Sequence, residues 1–169
     1  ALVEIDDSGI YKLKDDTLGV NTKFITTTEV EDNHRIHHLI LIPSLEVARA
    51  MRDDFIVKNM DADGRPRIRM DGEQIIEIAR KYNCIIGPAH IFTPWTGLYK
   101  SYDSIEDCYK QRPDFVELGL SSDSDLADLI DELKDYTFLT NSDSHSPWPH
   151  RMGREFNKME VDELTFEGI

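Results

Sequence analysis

Residues 23–42, KFITTTEVEDNHRIHHLILI, decide how the rest of the chain is read. Lys23–Glu31 is dense in β-branched and aromatic residues, the composition of a strand, and His37–Ile42 is a second such run that Pro43 ends. Ser44 supplies an N-cap for a helix from Leu45 to about Ile56, although Leu45, Ala48, Arg49, Arg52 and Asp53 give it only a weak face. Asp61–Met70 holds Gly, Pro and three Arg and reads as a loop. Asp71 with Gln74 three residues on is a capping-box variant, and Ile75, Ile78, Ala79 and Tyr82 follow at helical spacing.

Cys84–Gly87 and Asp114–Leu120 read as further strands, Asp103–Lys110 as a short helix, and Leu126, Leu129, Ile130 and Leu133 as the face of another. Tyr136–Thr140 is the last strand, and the tail from Arg151 is mixed and polar. Strands alternating with helices imply crossover connections, so the expected fold class is α/β, with a largely parallel sheet or barrel.

The chain has 169 residues, which suits a single domain over 1–169. Its 19 Lys+Arg against 33 Asp+Glu leave a net charge of −14, unlike a free-standing electrostatic binder of nucleic acid. The longest purely apolar run, Leu39–Ile42, is far below the ~18 residues of a membrane span. No secretory signal is seen, and Cys84 and Cys108 lack C-x-x-C spacing, so two reduced thiols in a cytoplasmic protein are expected. The start at Ala1, without Met, leads to the expectation of a piece of something longer.

The histidines gather at strand ends. Glu29 ends the first strand of the opening stretch, and His37 and His38 begin the second. His90 follows the CIIG run across Pro88-Ala89, and Asp143 and His145 follow Tyr136–Thr140. In a parallel sheet the C-terminal strand ends share a rim. Imidazoles and carboxylates meeting there suit Zn²⁺, Mn²⁺ or Fe²⁺, and a carboxylate can bridge two cations. Each residue also has a plainer reading: Asn141–Ser144 are strong turn formers, and a histidine after a strand is often a packing residue. A Ser/His/Asp site would need a nucleophile elbow such as G-x-S-x-G, which is absent, as are Gly-rich phosphate loops. Nothing places either Cys beside a His.

Glu29-Val30-Glu31, His37–Leu41, Gly87-Pro88-Ala89-His90 and Ser142-Asp143-Ser144-His145 resemble motifs of the PHP (polymerase and histidinol phosphatase) family. The longer runs GPAHIFTPWTGLYKSY (87–102), FVELGL (115–120) and LTNSDSHSPWPHRMGREF (139–156) are similar to the PHP domain of archaeal-type endonuclease Q enzymes. The resemblance implies part of a distorted (β/α)₇ barrel carrying two or three ions, Zn²⁺ or Mn²⁺, in the complete domain. It implies phosphodiester hydrolysis in DNA beside deaminated bases such as hypoxanthine or uracil. Glu29, His90 and Asp143 would be catalytic, and Glu29, His38, His90, Asp143 and His145 would hold metal. His37 is the less favoured of its pair, because the family places its ligand directly before the Leu-x-Leu run. PHP proteins open with an H-x-H motif that has no counterpart before Glu29, so the domain is expected to be incomplete at its N-terminus.

DNA is thus the expected partner. Trp95, Tyr99, Tyr102 and Trp148 could stack on an unstacked base or belong to the core. Arg151 and Arg154 could clamp phosphate or form surface ion pairs, and the basic run 65–69 could contact the DNA backbone or be a solvated loop. Two or three divalent cations add roughly +4 to +6 locally, which answers the acidic balance at the rim alone. Two rival readings use the same residues: a PHP-type phosphomonoesterase on a small metabolite, and a metal-poor PHP scaffold.

Overall fold

Five residues, 32–36, separate strand β3 (Phe24–Glu31) from strand β4 (His37–Ile42), and a loop that short permits only an antiparallel pairing. The hairpin is closed by Asp32, whose Oδ1 accepts the backbone N–H of His34 at 2.8 Å and of Ile36 at 2.7 Å. Register follows: Glu29 faces Leu39, Val30 faces His38 and Glu31 faces His37.

The computed structural model describes residues 2–17, 19–62 and 64–169; Ala1, Leu18 and Asp63 lie outside the described residues. The remaining strands are β1 (Leu2–Glu4), β2 (Ile10–Leu13), β5 (Val57–Met60), β6 (Pro66–Ile68), β7 (Ile85–Pro88), β8 (Phe115–Glu117) and β9 (Thr137–Leu139). The helices are α1 (Leu45–Arg52), α2 (Gly72–Lys81), α3 (Ile105–Tyr109) and α4 (Ser124–Ala127). Strands β1-β2-β3-β4-β7 follow one another in a seven-stranded sheet, which β6 and β5 complete beside β3. Every neighbour pair on the main path is antiparallel; β6 joins β3 in parallel through Glu31 and Arg67 alone. Strands β8 and β9 are a parallel pair. Hydrogen bonds of 2.8 Å from Asp114 N to Ile86 O and from Ile91 N to Glu117 O lay β8 beside β7.

Mixed helix and strand content is as expected, but the sheet is open and mainly antiparallel, which corrects the expected parallel sheet or (β/α)₇ barrel segment. The cause lies in the connections. The β3–β4 and β5–β6 links are tight turns, and only the longer stretches, such as those carrying α2 or α3, could serve as crossovers.

Local signals account for the helices. Asp71 accepts the N–H of Gln74 at 3.0 Å, and the Gln74 side chain accepts the N–H of Asp71 at 3.1 Å, a complete capping box on α2. Ile75, Ile76 and Ala79 bury the inner face of α2 against the sheet with Val30, Ile40, Ile42 and Ile86. On the sheet's other side Leu41, Phe115, Leu139 and Phe166 form a smaller cluster. The tail reaches it as irregular chain, with Phe166 N bonded to Ser8 O at 2.8 Å. Two expectations fail, and one segment without an expectation proves ordered. The 61–70 stretch, expected as a loop, contributes β6 to a hairpin, and the helix expected around Leu126–Leu133 is one turn of α4 followed by a 3₁₀ turn; the segment 2–13 holds two strands. Leu129 is 78% exposed, so its helical spacing marks no buried face.

Candidate metal centre

Side chains alternate along a strand, so the β3–β4 register sends Glu29, Glu31 and His37 to one face of the sheet and Val30 and His38 to the other. Strand β7 runs beside β4 and delivers His90 to the first of these faces, three residues beyond Gly87. Among the described residues, Glu29, His37 and His90 form a group whose ligand atoms all lie within 4.8 Å of one another. His37 Nδ1 is 3.0 Å from Glu29 Oε1 and 3.1 Å from His90 Nε2, and His90 Nε2 is 3.8 Å from Glu29 Oε2.

Outer contacts hold each donor in place. His37 Nε2 meets Glu31 Oε2 at 3.3 Å, so the ring is held between two carboxylates, Glu31 at Nε2 and Glu29 at Nδ1. Glu31 in turn takes Arg67 Nε at 3.2 Å. Glu117 Oε2 accepts the backbone N–H of His90 at 2.9 Å, while its Oε1 accepts from Asn141 Nδ2 at 2.6 Å. His90 sits at φ +32°, a strained value for a non-glycine residue. Gly119 packs against it so closely that a Cβ there would come within 2.7 Å of His90 Cβ.

The electrostatics match a cation site. Burial alone would raise the Glu29 carboxyl, yet the His37 hydrogen bond and the charges of His37, His90 and Arg65 hold it at about 2. Burial pushes the His90 imidazole down, opposed by the Glu29 charge, so its lone pair is available. Burial raises the Glu117 carboxyl, opposed by the Asn141 and His90 N–H groups. Two imidazole nitrogens and an ionised carboxylate are a donor set for Zn²⁺, Mn²⁺ or Fe²⁺.

Asp143 and His145 stand 3.2 Å apart, outside this group, and line an open cleft of about 550 Å³ together with Glu29, Thr27, Thr28 and Arg65. Asp143 has φ +44°, in a loop that Arg154 pins through Ser142 O at 2.8 Å and Asp143 O at 3.4 Å.

His38 is displaced from its expected place. Fully buried on the helix side, it meets Tyr109 OH through Nδ1 at 2.7 Å and Asp32 Oδ2 through Nε2 at 3.3 Å. The geometry therefore replaces His38 with His37 beside Glu29, because adjacent residues of a strand cannot share a face. Tyr99 and Tyr102 are half-buried against the core, and Tyr99 OH donates to Glu132 Oε1 at 2.6 Å. Trp95 and Trp148 are 76% and 64% exposed, and Arg151 is exposed. Glu31 and Glu117 complete the centre. Glu31 lay in the E-x-E spacing, which puts it on the face of Glu29.

No family model matches the chain. The uncharacterized protein MJ0043 of Methanocaldococcus jannaschii is 40% identical over 158 residues, 94% of this chain and 18% of its own length. The uncharacterized protein YqxK of Bacillus subtilis is 34% identical over 136 residues, 78% of this chain and 34% of its own length. The lesion-specific endonuclease PfuEndoQ of Pyrococcus furiosus superposes with a TM-score of 0.89 at 46% identity over 99% of this chain. The chain is similar to endonuclease Q. A second endonuclease Q structure, a complex with a 27-mer duplex carrying an abasic lesion at the active site, gives the same score and identity. The chain spans 41% of each endonuclease Q chain and smaller shares of the two curated relatives. Like endonuclease Q, it has a sheet-rich mixed fold. No helix among the described residues is long and apolar enough to cross a membrane.

Proposed function

We propose that this chain is the catalytic part of a PHP-type, metal-dependent DNA repair endonuclease that hydrolyses a phosphodiester beside an altered base. One observation carries the reading. The Glu29–His37–His90 donor group opens beside a cleft lined by Asp143 and His145, in a chain 46% identical over 99% of its length to a lesion-specific endonuclease. Glu29, His37 and His90 would hold one Zn²⁺ or Mn²⁺, and Asp143 and His145, across the cleft, would serve a further ion. A divalent cation there supplies Lewis-acid activation of water and of a phosphoryl oxygen.

The chain's own groups do the rest. Glu31 and Glu117 orient His37 and His90, and Arg154 fixes the loop that presents Asp143. Trp95 and Trp148, both exposed, offer faces on which an unstacked base could lie, at ~1–3 kcal/mol each. Arg151 is the arginine of its pair left to reach phosphate. The openness of the cleft supports a polymer over a small phosphomonoester, which would need a closed pocket.

The test is an end-labelled duplex with one deoxyinosine, a second with uracil, a third with an abasic site and a fourth unmodified, each incubated with the full chain and Mn²⁺ or Zn²⁺. A nick confined to modified strands, and lost in Asp143→Ala, is the expected result. Turnover in Asp143→Ala equal to wild type would remove Asp143 from the site. Metal binding without any nick would transfer the reading to a small phosphoester.

A further inference from the structure

Arg65 enters the centre from the β5–β6 hairpin, whose turn is closed by Asp61 N to Arg65 O at 2.9 Å and Gly64 N to Asp61 O at 2.9 Å. Its Nη1 lies 3.0 Å from Glu29 Oε1, the same oxygen that is 3.0 Å from His37 Nδ1. Its Nη2 lies 2.8 Å from Asp61 Oδ2, and Arg67 Nε lies 2.8 Å from the other oxygen of that carboxylate. The side chain is largely buried, and it lines the cleft with Thr27, Thr28, Glu29, Asp143 and His145. A guanidinium thus faces the carboxylate of the donor group from the wall of the cleft.

We propose that Arg65 is a tethered cation that pairs with Glu29 and passes to a substrate phosphate when metal and DNA bind. This rests on the metal-dependent reading given above.

Three physical points support the exchange. Arg65 is a permanent cation, and it meets the largely buried Glu29 carboxylate at 3.0 Å. A divalent cation on Glu29, His37 and His90 repels a guanidinium 3.0 Å from the same carboxylate, so metal binding weakens the Arg65–Glu29 pair. A guanidinium released from Glu29 stays anchored through Asp61 at the cleft wall, where its planar fork matches two oxygens of a phosphate. The hairpin lies at the edge of the sheet, and its β5 residues are all exposed.

The experiment measures Mn²⁺ affinity calorimetrically for the full chain and for Arg65→Gln, Arg65→Lys and His90→Ala. It also measures the salt dependence of binding to an abasic-site duplex. Arg65→Gln is expected to bind Mn²⁺ about tenfold or more tighter, since one like charge beside the cation is gone. Its log K against log salt slope for the duplex should fall by about 1, the mark of a lost phosphate contact. Arg65→Lys keeps the charge and should stay with wild type in Mn²⁺ affinity. If Arg65→Gln is destabilised, the Mn²⁺-induced rise in its Tm still reads the affinity and should exceed that of wild type.

Unchanged or weaker Mn²⁺ binding in Arg65→Gln, with binding lost in His90→Ala, would overturn the exchange and leave the metal centre standing. Tighter Mn²⁺ binding with an unchanged salt slope would also overturn it, because Arg65 would then serve only as a counter-ion. Absence of Mn²⁺ binding in wild type would overturn the metal-dependent reading and this proposal together.

Discussion

Nδ1 of His37 and Nε2 of His90 lie 3.1 Å apart, although the two residues are separated by 53 positions. Two imidazole nitrogens that close, beside a carboxylate, cannot all direct lone pairs at one another unless a proton or a cation lies between them. We expect His37→Ala and His90→Ala each to lose roughly 100-fold or more in Mn²⁺ affinity, beyond the range usual for outer-shell partners. Calorimetric titration checks this, with far-UV circular dichroism confirming the fold. His38→Ala should bind Mn²⁺ far better than either, and equal losses at all three positions would defeat the assignment.

His38 should instead matter for stability. Removing its ring leaves Tyr109 OH and Asp32 Oδ2 buried without their imidazole partner. A loss on the order of 3 kcal/mol is expected for His38→Ala from breaking such a buried polar pairing. It would be read as a lower urea midpoint at unchanged m-value, and a midpoint within error of wild type would count against it.

Glu117 holds two strand ends at once, through His90 N and Asn141 Nδ2. Glu117→Ala should therefore weaken Mn²⁺ binding about 10–100-fold although the residue is no ligand, as expected for an outer-shell partner. Glu117→Gln keeps one acceptor oxygen and should recover part of the loss. Full wild-type affinity in the alanine variant would show that His90 keeps its position unaided.

Both cysteines are buried and free. Burial pushes the Cys84 thiol up to about 11 and the Cys108 thiol higher still. The thiolate is the reactive form, so at pH 8 neither should react with iodoacetamide in the native chain. Both should react in guanidinium, and mass spectrometry after alkylation counts them. Rapid labelling of a native thiol would reopen a cysteine nucleophile.

What was legible in the sequence was mostly local. Asp71 and Gln74 announce α2 because a capping box needs only four consecutive residues. Glu29 and His90, which meet in one donor group, each end or follow a strand-like run. The choice between His37 and His38 could not be made that way. Leu39 and Leu41 pack on one side of β4 and Ile40 and Ile42 on the other, so the apolar run carries no alternation to mark the faces. Arg65 stood out only as part of the basic run 65–69, and its place beside Glu29 was not legible, because the β5 strand that helps position it is exposed throughout and shows no buried pattern. Leu126 and Leu129 carry the right spacing for a helix face yet point into solvent, where periodicity has no packing to enforce it.

The hairpin has one more consequence, for tolerance to insertion and deletion. Moving β4 by one residue against β3 would exchange the faces of all its side chains. In most strands that slip would expose the core. Here the run Leu39–Ile42 is apolar at every position, so either register buries hydrocarbon on both sides. The doublet His37-His38 would then present its second imidazole to Glu29 in place of the first. A one-residue change of loop length at 32–36 would thus bring a second imidazole to the same carboxylate.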